Sequence, residues 1–282
     1  MLSSSKLIAA ALAATSSTFA SPATVFTANN TLKLRDITLI TGCDITQEAK
    51  LLQDLSDVVD IADNAGSMDP SSTIFDHYFR IDDLDGAMRM WRALGLAEGT
   101  DYHFSFLCAP QNDQQCSQGG RPYAITDSIP EDNGQPRQIK ICPLYWTDKG
   151  SKLSSNSKKY DSSRSGWCTV SPYTFSSIAI GAEVLMHEMS HLDEVGSAAR
   201  FPLVTDSQGF ASHGTEDPDS DSFPDARNEP EQARQLRDLF RNGKAEPDTL
   251  APYRSAENIA ASALEWWVKT KCGYPNDVDF QV

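Results

Sequence analysis

Residues 181–196 read GAEVLMHEMSHLDEVG, and the five at their centre, His187-Glu188-Met189-Ser190-His191, fit H-E-x-x-H. Apolar residues recur at Ile178, Ile180, Val184, Leu185, Met189 and Leu192, which predicts a helix over 176–195. On a helix, positions i and i+4 share a face, so His187 and His191 can point imidazole nitrogens at one ion. Glu188 sits one step around from His187. From there it can reach a metal-held water without occupying a metal position. Zinc lowers such a water's pKa and polarises a carbonyl, and a glutamate in this place takes the proton and passes it to a leaving amine. Two ordinary helix histidines would give the same five letters by chance in roughly one percent of chains this long.

A catalytic zinc also needs a third protein ligand and an open position. The extension H-E-x-x-H-x-x-G-x-x-H fails, because Glu194 and Ser197 stand where Gly and His are required. A glutamate ligand from a downstream helix is poorly supported, since Glu216 falls in a loop. That loop, over 203–227, holds Asp206, Glu216, Asp217, Asp219, Asp221 and Asp225, and a structureless connection so long is usually functional or disordered. It contains His213-Gly214-Thr215-Glu216-Asp217.

Here the sequence resembles the aspzincins, the deuterolysin and peptidyl-Lys metalloendopeptidase group, in which H-E-x-x-H is followed by G-T-x-D-x-x-Y-G. Gly214, Thr215 and Asp217 match the first half of that motif. Pro218-Asp219-Ser220-Asp221 follow, so the Tyr-Gly half has no direct counterpart. The resemblance implies zinc ligands His187, His191 and Asp217, with Glu188 as general base. An alternative alignment, with Asn228-Glu229-Pro230 in the place of Tyr-Gly, would make Asp225 the ligand; His213 is a further alternative. Ser255-Ala256-Glu257-Asn258 looks like the family's N-A-D-x-Y stretch, and the similarity runs over 139–267. The fold implied is α+β and mostly helical, a zincin-like domain with a small sheet. The activity implied is a secreted zinc endopeptidase, as a divergent fungal member, with one Zn2+ per chain. A different reading is a non-catalytic, allergen-like zinc binder on the same scaffold. Such proteins carry H-R-x-x-H, and the glutamate at 188 argues for chemistry.

The N-terminus supplies the compartment. Lys6, the apolar run over 7–14 and small residues ending at Ala20 have the layout of a signal peptide spanning 1–20, leaving 21–282 as one domain. No later run approaches the roughly 18 apolar residues of a membrane helix. Six cysteines entering an oxidising compartment favour up to three disulfides, and Cys108–Cys116 and Cys43–Cys272 are the expected pairs. Asn29-Asn30-Thr31 is the one glycosylation sequon. The net charge of −15 repels nucleic acid and anionic membranes and favours cationic peptides or metal ions, although acidity also serves solubility alone. The expected partner is therefore a peptide or protein substrate bearing basic residues, bound by a monomer.

Elsewhere, apolar periodicity predicts helices over 44–64, capped by Asp44, and over 84–94, stopped at Gly95. Two more are expected over 230–240 and 255–268. Strands are expected over 102–107 and 139–146. The polar run over 151–165 reads as a surface loop. Trp266 and Trp267 are expected in the core, and His77 and His103 carry no assigned role.

Overall fold

A computed structural model describes residues 37–95, 102, 104–117, 122–127, 137–147, 174–205 and 211–282. The signal peptide, the sequon, His103, the polar run over 151–165 and Cys168 lie outside these. All the described residues belong to one compact unit, Lys33–Val282.

Strand β1 (Ile37–Thr41) leads into helix α1 (Ile45–Ala65). Asp44 starts that helix as expected. Its carboxylate accepts from the Thr46 and Gln47 amides while Gln47 reaches back to the Asp44 amide, a capping box. Leu51, Leu55, Val58 and Ile61 recur at three- and four-residue spacing and are fully or almost fully buried. Helix α2 (Thr73–Tyr78) follows, capped by Ser72, and α3 (Leu84–Leu94) ends at Gly95.

The sheet has four strands in the order β1-β2-β4-β3, with β2 at Phe104–Cys108, β3 at Ala124–Thr126 and β4 at Arg137–Ile141. The first three in that order run parallel; β3 joins antiparallel and forms an edge. Two expectations change here. The apolar run over 139–146 splits into β4 and a helical turn, α4 (Pro143–Thr147), because a proline after Cys142 has no amide to continue the ladder. Strand β3, three residues long and too brief to show a period, was not foreseen, nor was β1, which follows a polar lead-in.

The disulfides also differ from expectation. Cys43 pairs with Cys108 and Cys116 with Cys142, not Cys43 with Cys272 or Cys108 with Cys116. The parallel β1–β2 and β2–β4 ladders bring the ends of these strands together, so the sheet chose the partners. Cys272 is disulfide-bonded as well, to a partner outside the described residues.

The single helix expected over 176–195 is three: α5 (Phe175–Ile178), α6 (Gly181–Ser190) and α7 (Asp193–Ala198). The stretch over 203–227, expected to be structureless, instead holds a short antiparallel pair, β5 (Val204–Thr205) with β6 (Ala211–Ser212), and a helical turn over Ser220–Ser222, elements too brief to show a period in the sequence. Helix α8 (Glu229–Arg241) is capped by Asn228, and α9 (Ala256–Cys272) by Ser255.

Residues 256–268 of α9 are all buried, the small and apolar ones filling the core and Glu257, Asn258, Ser262 and Glu265 grouped toward one side. The helix runs through the centre, packed against α1, α2, α6 and α8. Trp266 and Trp267 are buried, as expected. Its few polar groups are tied down: Glu265 accepts from the Tyr78 hydroxyl at 2.7 Å, and Asn258 donates to the Tyr78 and Ala233 carbonyls. The architecture is thus mixed, helices around a small sheet. Among the described residues no helix is long and apolar enough to cross a membrane.

Candidate metal centre

Helix α6 is buried along its whole length, so its polar side chains need partners. The sequence supplies them from three distant segments. His187 and His191 lie with ring centroids 5.0 Å apart, one helical turn from each other. Asp217 reaches across from the acidic loop, its Oδ1 lying 3.0 Å from His187 Nε2 and 3.5 Å from His191 Nε2.

What delivers Asp217 is the Gly-Thr pair before it. A Cβ on Gly214 would stand 2.0 Å from the His191 carbonyl oxygen, so only glycine lets the loop pass this close to the end of α6. Opposite it, a Cβ on Gly196 in α7 would meet the His213 carbonyl at 2.1 Å. The Thr215 amide donates to the Ser190 carbonyl at 2.9 Å. Ser190 spends its one hydroxyl proton on the His187 carbonyl at 2.7 Å, so the Thr215 hydroxyl is the donor in their 2.6 Å contact. Beyond it, Glu216 bridges to Ser255 at the start of α9, and buried Arg254 donates to the Pro202 and His213 carbonyls at 3.1 Å each.

Both imidazoles are held in one orientation. His191 Nδ1 lies 2.9 Å from the Thr215 carbonyl, which can only accept, so Nδ1 carries the proton and Nε2 is left to face Asp217. His187 Nδ1 lies 3.0 Å from Glu257 Oε2 on α9, which orients that ring the same way. A carboxylate or carbonyl behind each histidine, fixing its tautomer, is the usual support of a metal-ligating imidazole.

The charges reinforce one another. Burial pulls His187 down, but the Asp217 carboxylate and the Glu257 bond overcome it and raise it well above the ordinary imidazole range. His191 is raised likewise against burial, chiefly by Asp217. The protein atoms around its carboxyl group, by partly displacing water, push Asp217 up, yet the two imidazoles hold it well below the usual carboxylate range. Its side chain is 62% exposed, so the cluster opens to solvent on that side.

A four-coordinate zinc with bonds of about 2.0–2.1 Å sets its ligand atoms roughly 3.3 Å apart. The observed 3.0 and 3.5 Å bracket that spacing, and two imidazole nitrogens, whose Nε2 protons an ion would displace, with one carboxylate oxygen are a donor set zinc accepts. The residues fit the ion. His213 and Asp225 are not brought to this cluster. His213 Nδ1 is 2.9 Å from Asp193, and Asp225 is exposed and belongs to no group of converging donors among the described residues.

Comparisons with known proteins add little to this. No family model matches the chain, and no curated protein does. Among solved structures it is similar to a zinc peptidase from Grifola frondosa, at 12% sequence identity and a TM-score of 0.43, over 79% of this chain and 97% of that one.

Three further residues at the site carried no role in the sequence. Glu257 lay in a stretch noted only for its resemblance, with no partner assigned. Glu183, one turn before His187 on α6, is buried, and burial together with Glu257 raises its carboxyl well above the usual range. Glu229 brings a carboxylate oxygen within 4.8 Å of donor atoms of His187 and Glu257. Glutamates at 183 and 257 within apolar runs were the available signal, since a buried carboxylate rarely stands there without a function.

Proposed function

We propose that the protein is a secreted, zinc-dependent endopeptidase with a zincin-like fold, in which His187, His191 and Asp217 hold one zinc ion and Glu188 is the general base. The observation that carries this reading is the convergence of the two Nε2 atoms and Asp217 Oδ1, with both rings fixed from behind. Zinc bound there supplies a Lewis acid that lowers the pKa of a water and polarises the scissile carbonyl.

The chain's own residues do the rest. Glu188 is 8% exposed and is not one of the converging donors, yet its charge is near enough to raise both imidazoles. In this reading it accepts the proton of the attacking water and returns it to the amine as the peptide bond breaks. The open side at Asp217 leaves room for a substrate carbonyl. Glu183 and Glu257 are two buried carboxyls beside the cluster, with Glu229 at its margin. The exposed acids of the loop, Asp219, Asp221 and Asp225, rather than these buried groups, favour a substrate bearing basic residues.

The test is Glu188→Gln in the zinc-loaded protein. Retained zinc with casein cleavage lowered at least ~100-fold supports the reading. Cleavage equal to the parent's would sink it. Stoichiometric zinc in the parent, with no turnover on any peptide pool, would select the non-catalytic zinc binder instead.

A further inference from the structure

The edge strand β3 contributes a residue that neither the motif nor the metal explains. Thr126 pairs with Ile139 of β4, and in a strand its side chain shares a face with Ala124, the buried residue two positions before. That face looks onto α6, where the Thr126 hydroxyl meets one residue twice. Oγ1 lies 2.6 Å from Glu188 Oε2 and 2.9 Å from the Glu188 carbonyl oxygen. An ionised carboxylate and a backbone carbonyl can only accept, so the hydroxyl is the donor; its single proton goes chiefly to Oε2 in the shorter, charge-assisted contact, with the carbonyl as the weaker branch of a three-centre bond.

We propose that Thr126 is a positioning residue for the general base, a role that rests on the peptidase reading above. Holding Oε2 fixes the plane and rotamer of the Glu188 carboxylate. Oε1, which makes no hydrogen bond among the described residues, is then the oxygen left to take the proton from the attacking water. The second contact, to the carbonyl of the same residue, ties the hydroxyl to the helix backbone. The sheet edge and the catalytic helix are thereby set in one register. An unanchored glutamate would sample several rotamers, and a misplacement of about 1 Å at a proton-transfer group can cost on the order of 100-fold in rate.

Thr126→Val keeps the shape and the strand preference and removes only the hydroxyl; Thr126→Ser restores it. In the zinc-loaded full chain, Thr126→Val should bind zinc with affinity and stoichiometry like the parent's. Its KM should stay within about twofold while kcat falls roughly 10- to 100-fold, and Thr126→Ser should return kcat to within about threefold of the parent. Combined with Glu188→Gln, Thr126→Val should change the residual rate by less than about twofold, since nothing remains to be positioned. Crystal structures of the zinc-loaded proteins give a readout independent of turnover. The parent should keep Oγ1 within hydrogen-bond distance of Oε2, and Thr126→Val should release the carboxylate to other rotamers. The proposal is overturned by an unchanged kcat in Thr126→Val, by a loss that serine does not recover or that persists beside Glu188→Gln, or by a carboxylate that stays in place without the hydroxyl. A parent that cleaves no peptide would defeat the peptidase reading, and the structures would still decide whether Thr126 holds Glu188.

Discussion

His187 Nδ1 lies 3.0 Å from Glu257 Oε2, a contact between α6 and the central helix α9 across 70 residues of sequence. It leaves Nε2 as the nitrogen that faces Asp217. Burial pushes the Glu257 carboxyl up to about 7, against the pull of His187, so the environment places this acid where a neighbouring charge decides its state. Removing the support should weaken the metal site without touching a ligand. Glu257→Ala should lower zinc affinity about 10- to 100-fold, and Glu257→Gln, whose amide oxygen can still accept from Nδ1, should lose less. Competition against a chromophoric chelator reads both. Unchanged affinity in the alanine variant would exclude the supporting role.

The choice of third ligand is open to a direct test. Asp217→Ala should abolish stoichiometric zinc binding in equilibrium dialysis, whereas Asp225→Ala and His213→Ala should each retain one ion per chain, because of these three Asp217 is the one that stands 3.0 and 3.5 Å from the two imidazoles. Loss of zinc in Asp225→Ala with retention in Asp217→Ala would reverse the assignment.

At Gly214 the loop passes tightly against the end of α6. Gly214→Ala forces a Cβ to 2.0 Å from the His191 carbonyl, backbone that cannot rotate away. The loop must shift, carrying Thr215 and Asp217 with it. Expected is a loss of about 1–3 kcal/mol in stability together with weakened zinc binding, measured by urea unfolding and metal titration. A variant as stable as the parent and fully loaded would show that the loop accommodates the methyl.

His77 gives the fold a dependence on pH. Burial, and then the nearby Arg234 guanidinium, lower its pKa from 6.5 to about 4, and Asp279, Arg237 and Asp76 also face it. A base with a depressed folded pKa binds more protons when unfolded. Above pH 6.5 it is neutral in both states and costs the fold nothing; as pH falls toward 4 the unfolded chain takes up the proton first and stability is lost. Between pH 7 and pH 5 this amounts to about 1–2 kcal/mol. Urea unfolding at the two pH values should show His77→Gln losing correspondingly less stability than the parent. An identical loss in both proteins would assign the acid sensitivity to other groups.

Some of this site was legible in the letters and some was not. The spacing of His187, Glu188 and His191 is a statement about one helical turn, and the Gly-Thr pair before Asp217 is a local motif. Those features survive translation into structure because a helix and a tight loop are short-range objects. The expectation of one long helix over 176–195 failed at its ends, where α5 and α7 break away around Ala179 and Leu192. Hydrophobic periodicity runs through such breaks because all three helices face the same core. Thr126 was invisible because β3 has three residues, too few for any alternation, and its target lies 62 residues on.

The sequence by itself determined the capped start of α1, the helical character of the segments that become α8 and α9, the burial of Trp266 and Trp267, and two imidazoles one turn apart on α6 with a glutamate beside the first. All follow from residue type and a period of a few positions. Only the tertiary structure decided which of the acidic residues in one loop would stand beside the histidines, which carboxylate would brace His187, which hydroxyl would hold Glu188, and which cysteines would pair. Those outcomes depend on where the sheet and the central helix bring remote segments together. Many chain paths satisfy the same local preferences, and the burial of a shared core selects among them.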